Sequence, residues 1–116
     1  MNQKTEQLKE VILENLDENK AEDIKLIKSS DISTLFDYMI IATGRSGRHA
    51  VSLAENLSRK IKKVSKIGLS IEGLQNAEWI LIDAGALIVH IFQPEIRLKY
   101  NIEALWDTNY AKKTMG

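Results

Sequence analysis

A single α/β domain built on a mixed sheet is predicted by three features of this sequence. Helix-periodic stretches alternate with short β-like runs, a strand leads through a long amphipathic helix into another strand, and two apolar runs flank a tight Ala84-Gly85-Ala86 turn. The composition agrees: of 116 residues 44% are hydrophobic and 28% charged, with one proline, as in an ordinary globular chain of one domain's length. The reading takes 1–116 as one domain, with its core at about 4–106 and a C-terminal tail at 107–116. Absence of cysteine excludes a disulfide framework and thiolate metal chemistry. No signal peptide, Arg-rich transit peptide or long apolar run is recognised, so a reducing cytoplasm is the expected compartment.

Leu8, Val11, Ile12 and Leu16 recur at helical spacing beside a solvated row of Glu6, Glu10 and Glu14, which predicts a first helix over 4–18. Ile24 to Ile27 is a short strand, Ser29 to Thr34 is turn-rich, and Asp37 to Thr43 is a stronger strand. Gly44 to Gly47 breaks that strand, and Ser46 stands at the N-cap position before Val51, Ala54, Leu57, Ile61 and Val64. A second helix is therefore expected over about 47–64. Ile67, Leu69 and Ile71 alternate as a third strand, a loop spans Gly73 to Glu78, and Trp79–Asp83 with Leu87–Phe92 reads as a hairpin. Strand, helix and strand from 38 to 71 form a right-handed crossover in this reading, giving roughly five strands in parallel and antiparallel pairs. Pro94 opens a short helical turn before Leu98, Tyr100, Leu105 and Trp106.

The chain is neutral overall but polarised along its length. Residues 1–23 carry seven acids and three bases, 44–66 seven bases and one acid, and 67–107 six acids and two bases. Zero net charge removes the global pull expected of a phosphate-backbone binder. The cations Arg59, Lys60, Lys62, Lys63 and Lys66 suit the negative end of a helix dipole and read first as a solvated helix end.

Hairpin register follows from pattern, because a slip of one residue turns every side chain over. Pairing Ala84 with Leu87 puts Ile80, Ile82, Leu87, Val89 and Ile91 on one aliphatic face for helices to cover. Trp79, Leu81, Asp83, Ile88, His90 and Phe92 then share the other. That mixture fits an aromatic-anchored binding patch, and its acidic surroundings favour a basic partner. The alternative is a second buried face under the C-terminal segment, with His90 as a satisfied core histidine.

Catalytic readings fare worse. Gly44-Arg45-Ser46-Gly47-Arg48 resembles a nucleophile elbow, and Ser46, Asp83 and His90 fall in hydrolase order, but Arg48 stands where the last glycine belongs. In the predicted register Asp83 and His90 lie about 7 Å apart, too far for an orienting hydrogen bond. A Walker phosphate loop lacks its Gly-Lys-Ser/Thr ending. A Gly-Ser turn before a helix also opens the nucleotidyltransferase fold, whose magnesium-binding acid pair is missing, since only Glu72 and the isolated Asp83 follow. His49 and His90 without cysteine make a zinc site improbable, and His49 reads as a capping or surface residue. No catalytic, metal or cofactor site is expected.

The ordered set Asp37-Tyr-Met-Ile-Ile-Ala-Thr-Gly-Arg-Ser-Gly-Arg-His49, Glu72-Gly73, Trp79-Ile-Leu-Ile-Asp83, Val89-His-Ile-Phe92 and Leu105-Trp106 resembles the ribosomal silencing factor family, RsfS or Iojap-like. The resemblance covers roughly residues 4–106. It implies a nucleotidyltransferase-like mixed sheet without the catalytic metal site, usually in a homodimer. It also implies binding to large-subunit ribosomal protein fourteen and steric exclusion of the small subunit, lowering translation in starvation or stationary phase. By match to the family pattern, Trp79, Asp83, His90 and Phe92, with Tyr38, Glu72 and Gly73, are candidates for contact or for holding the contact surface. Direct RNA contact through the basic cluster is a secondary possibility. Gly47 stands where many relatives have a second serine, and Ala86 where an aspartate is common. The absence of a long N-terminal extension points to a bacterial cytoplasmic protein, not an organellar one.

Overall fold

The computed structural model describes residues 3–28, 36–102 and 104. The turn at 29–34 and the pair Leu105 and Trp106 lie outside the described residues. The chain order is α1 (Gln3–Glu18), β1 (Glu22–Lys28), β2 (Tyr38–Thr43), α2 (Gly47–Val64), β3 (Ser70–Glu72), β4 (Trp79–Asp83), β5 (Leu87–Phe92) and α3 (Pro94–Tyr100). The strands form one five-stranded sheet in the order β1-β2-β5-β4-β3. Among the described residues only β2 and β5 pair in parallel; the other three ladders are antiparallel. The mixed sheet expected from the sequence is therefore present, and β3 runs in the direction of β2 with two strands between them.

α1 and α2 cover one face. Leu8, Ile12 and Leu16 from α1 and Leu53, Leu57 and Ile61 from α2 close over Ile40, Ile80, Ile82, Leu87, Val89 and Ile91, all buried. Hairpin register is the predicted one: Ile80 pairs with Ile91 and Ile82 with Val89. The helices lie antiparallel, joined by an amide clasp in which Asn15 Nδ2 donates to Asn56 Oδ1 at 3.2 Å and Asn19 Nδ2 donates to the Asn15 carbonyl at 2.8 Å.

Helix termini follow from local chemistry. The Ser46 hydroxyl caps α2, accepting from the His49 amide at 3.1 Å. His49 Nδ1 accepts from the Arg45 amide at 3.0 Å, so its Nε2 carries the proton and donates to the Asn19 carbonyl at 3.1 Å. The imidazole thus ties the end of α1 to the start of α2. Gly44 is required there, since a Cβ would stand 2.8 Å from the Ala50 Cα.

α1 ends in a Schellman pair, the Ala21 amide on the Leu16 carbonyl and the Lys20 amide on that of Asp17. Lys20 occupies the left-handed position at φ 66°. Glycine adopts that conformation without the Cβ penalty, so Lys20→Gly is expected to raise stability by about 0.5–1 kcal/mol, read as a higher urea midpoint with an unchanged slope.

β3 is shorter than the alternation of Ile67, Leu69 and Ile71 predicts. Ser70 pairs with Asp83, the last residue of β4, and beyond it the hairpin turns away. Residues 67–69 have no ladder partner among the described residues.

Candidate functional site

The second sheet face carries the predicted patch. Cross-strand pairing places Trp79 beside Phe92, Leu81 beside His90, Asp83 beside Ile88 and Glu72 beside Leu81. Paired residues share a face, so Trp79, Asp83, His90, Phe92 and Glu72 are brought together. β2 extends the face with Met39, Ile41 and Thr43, paired with Ile88, His90 and Phe92.

Burial divides this face into a floor and a margin. Phe92 and Ile41 are fully buried, and His90 is only 7% exposed. Ile27, Phe36 and Met39 pack with them, and Ile96 and Ile102 cover part of that cluster. Trp79, Leu81 and Ile88 are half-buried, while Asp83 and Glu72 are exposed. Phe92 and His90 thus form a buried floor, and the margin leaves apolar edges and carboxylates at the surface.

Trp79 is fixed from several sides. Its indole Nε1–H donates to His90 Nδ1 at 2.9 Å, and its ring lies 4.9 Å from that of Phe92 and 5.1 Å from that of Tyr100. The His90 and Phe92 rings are stacked within 9°. Acceptance at Nδ1 leaves the His90 proton on Nε2 and the ring neutral. Burial lowers its pKa from 6.5 to about 4.

The direction of the resulting pH dependence follows from that shift. An unfolded chain takes up this proton near pH 6.5, whereas the folded protein resists it until about pH 4. The contribution to stability is complete above the unfolded value and is lost as pH falls toward 4. Between about pH 7 and 4.5 the loss is about 2–3 kcal/mol for this group. Urea melts at the two pH values should show wild type losing that much more than His90→Gln, which has no proton to gain.

Gly73 holds the margin by its backbone. It follows β3 at φ 91°, where a Cβ would lie 2.2 Å from the Trp79 carbonyl oxygen. Its own carbonyl accepts from the Ala77 amide at 2.9 Å, and the Ala77 carbonyl accepts from Gln93 Nε2 at 3.0 Å. The loop from β3 to β4 is thereby tied to the end of β5.

Tyr38 stands apart from the other candidates. It pairs with Leu87, packs in the helix-covered core, and donates its hydroxyl proton to Glu6 Oε1 at 2.5 Å. The Glu6 hydrogen bond raises the phenol's pKa, with burial adding to it; hydrogen bonds from Lys9 and then Tyr38 lower that of Glu6. Tyr38 seats α1 on the sheet.

The hydrolase-like trio does not assemble. Ser46 Oγ caps α2, Asp83 Oδ1 accepts from the Gly85 amide at 2.9 Å, and His90 accepts from Trp79. Two contributors escaped the sequence reading. Tyr100 packs against Trp79 with its ring tilted by 44°, and Arg97 Nη1 donates to the Asp23 carbonyl and to Thr43 Oγ1, at 2.6 and 2.8 Å, pinning α3 across β1 and β2. The i, i+4 spacing of Ile96 and Tyr100 was the available signal that α3 turns an apolar stripe toward the sheet.

These features define an α/β domain whose distinctive aromatic and acidic side chains form a surface on one sheet face. Over residues 2–115 the sequence matches the family described as ribosomal silencing factor during starvation. It is 41% identical over 101 residues to ribosomal silencing factor RsfS of Zymomonas mobilis, covering 87% of this chain and 76% of that protein. A crystal structure of a Chromobacterium violaceum protein superposes with a TM-score of 0.84 at 36% identity, covering 87% of this chain and 84% of that one. A Bacillus halodurans crystal structure gives 0.77 at 32%, covering 91% and 96%. The chain belongs to the ribosomal silencing factor family.

Proposed function

We propose that this protein binds the large ribosomal subunit through ribosomal protein fourteen and sterically blocks joining of the small subunit, repressing translation. Membership of the ribosomal silencing factor family supports the ribosomal target. The observation that carries the surface assignment is the division of the second sheet face, a buried floor under a margin of half-buried Trp79 and Leu81 with exposed Asp83 and Glu72. A half-buried tryptophan held in one orientation loses little entropy on docking, and the two carboxylates suit a partner with a basic surface.

Steric exclusion needs affinity and bulk and no bond making. Ser46, Asp83 and His90 are each engaged in separate local hydrogen bonds, which supports a binding role over a hydrolytic one. The proposal includes a homodimer in the free state and action in the cytoplasm.

Titration of purified protein fourteen against this chain tests the contact. Saturable one-to-one binding, weakened at least tenfold by Glu72→Lys, is the expected result. Absence of binding to protein fourteen, with the intact large subunit still bound, would overturn the assignment of this partner.

A further inference from the structure

The helical layer has a second surface far in character from the first. α1 and α2 are antiparallel, which brings the start of α1 beside the end of α2. A groove of about 700 Å³ runs there, lined by residues that include Lys4, Leu8, Val11, Lys62, Val64 and Lys66. Lys62, Lys63 and Lys66 line it and are exposed, and Arg59 and Lys60 are exposed one turn back on α2. Among the described residues no carboxylate lies within ion-pair distance of any of these five, and the nearby Glu6 and Glu10 are taken up by Lys9 at 2.8 and 3.3 Å. At the other end of the same layer Glu14, Asp17, Glu18 and Glu55 are exposed. Lys20, Arg45 and Arg48 are exposed at that end as well, so both signs mix there, whereas residues 56–66 carry five cations and no carboxylate.

Helix capping accounts for only part of the cluster. The dipole acts within the last turn of a helix, which covers Lys62 and Lys63. Arg59 and Lys60 lie further back, and Lys66 lies beyond the C-cap Ser65. Holding five like charges together with no carboxylate partner among the described residues costs self-repulsion that a polyanion relieves.

We infer that the C-terminal end of α2, with the adjoining groove, is a second contact surface that binds the phosphate backbone of double-stranded RNA. The inference rests on the ribosome binding proposed above and adds a partner of another chemical class. Four of the five cations are lysines, compact charges that follow phosphates without demanding a bidentate geometry. Among the described residues no aromatic side chain lines the groove, so the bases of a single strand would find nothing there to stack on. A duplex offers a regular double row of phosphates and needs no stacking platform. The surface belongs to the helix-covered side and the aromatic margin to the other side of the sheet, so one molecule can engage protein and RNA at once.

The test titrates wild type and the triple variant Lys62→Ala/Lys63→Ala/Lys66→Ala against three probes over about 50–200 mM salt: an RNA duplex of about 20 base pairs, polyglutamate and isolated protein fourteen. Loss of three phosphate contacts should weaken duplex binding at least tenfold and reduce the slope of log K against log salt by about 2–3. Lys→Arg changes at the same positions should restore both. Binding to protein fourteen should not change, so failure of that contact and failure of this one are read separately. Equal duplex affinity and slope in wild type and triple variant would overturn the inference. So would tighter binding of polyglutamate than of the duplex, which would make the surface a site for acidic protein segments.

Discussion

Gly73→Ala is expected to be the most damaging single-methyl change in this protein, costing about 3 kcal/mol or more. Two effects combine. The residue sits at φ 91°, outside the range of ordinary L-residues, and its new Cβ would lie 2.2 Å from the Trp79 carbonyl oxygen. Neither can relax without moving β4, because Trp79 begins that strand and pairs with Phe92 across it. For a chain of this length, 3 kcal/mol lowers the melting temperature by about 12 °C. Gly68→Ala is the matched control, since nothing lies within 4 Å of a Cβ there, and it should change stability by less than about 0.5 kcal/mol. Thermal melts of both variants decide the matter; similar melting temperatures would contradict the geometry at Gly73.

The second large effect is expected at Trp79. Truncation to alanine removes the ring packed on Phe92 and Tyr100 and leaves the buried His90 Nδ1 without its donor, a loss of about 3 kcal/mol in stability. On the proposed docking surface it also removes the one tryptophan of the margin among the described residues, and affinity for the large subunit should fall about 100-fold, as for a central aromatic anchor. Trp79→Phe separates the two roles. It keeps most of the ring area, drops the hydrogen bond to His90, and should cost about 1–2 kcal/mol while retaining most of the affinity. Equal affinity in wild type and in folded Trp79→Ala would show that the ring serves only to brace the sheet.

Much of this was legible from residue pattern. The helix over Gly47–Val64 and its Ser46 cap follow from a glycine break, a short hydroxyl side chain and regular apolar spacing. Hairpin register was fixed by one comparison, since only one pairing puts five aliphatic residues on a single face. Topology was less accessible. That β2 lies against β5, 49 positions away for Tyr38 and Leu87, is a long-range choice made by the sheet as a whole. The length of β3 depended on where its partner β4 ends, which alternation at 67–71 does not encode.

The candidate site shows the same limit. Trp79, Asp83, His90, Phe92 and Glu72 were expected together and share one face, whereas Tyr38 turns to the other to receive α1. Strand parity within β2 does not say which face the neighbouring strands will match. Phe92 and His90 were grouped with Trp79 as equals, yet α3 and the second cluster bury them and leave the margin exposed. Three-dimensional cover, not residue type, separates the floor from the surface.

The proposed silencing of ribosomes by occupation of the large subunit is tested most directly by sedimentation. Purified large and small subunits are mixed at rising magnesium, with and without this protein, and sedimented through a sucrose gradient in which each fraction is probed for the chain. The account predicts co-migration with the large subunit and a dose-dependent loss of joined ribosomes, both abolished by Trp79→Ala. Joined ribosomes forming in full while the protein stays at the top of the gradient would contradict it.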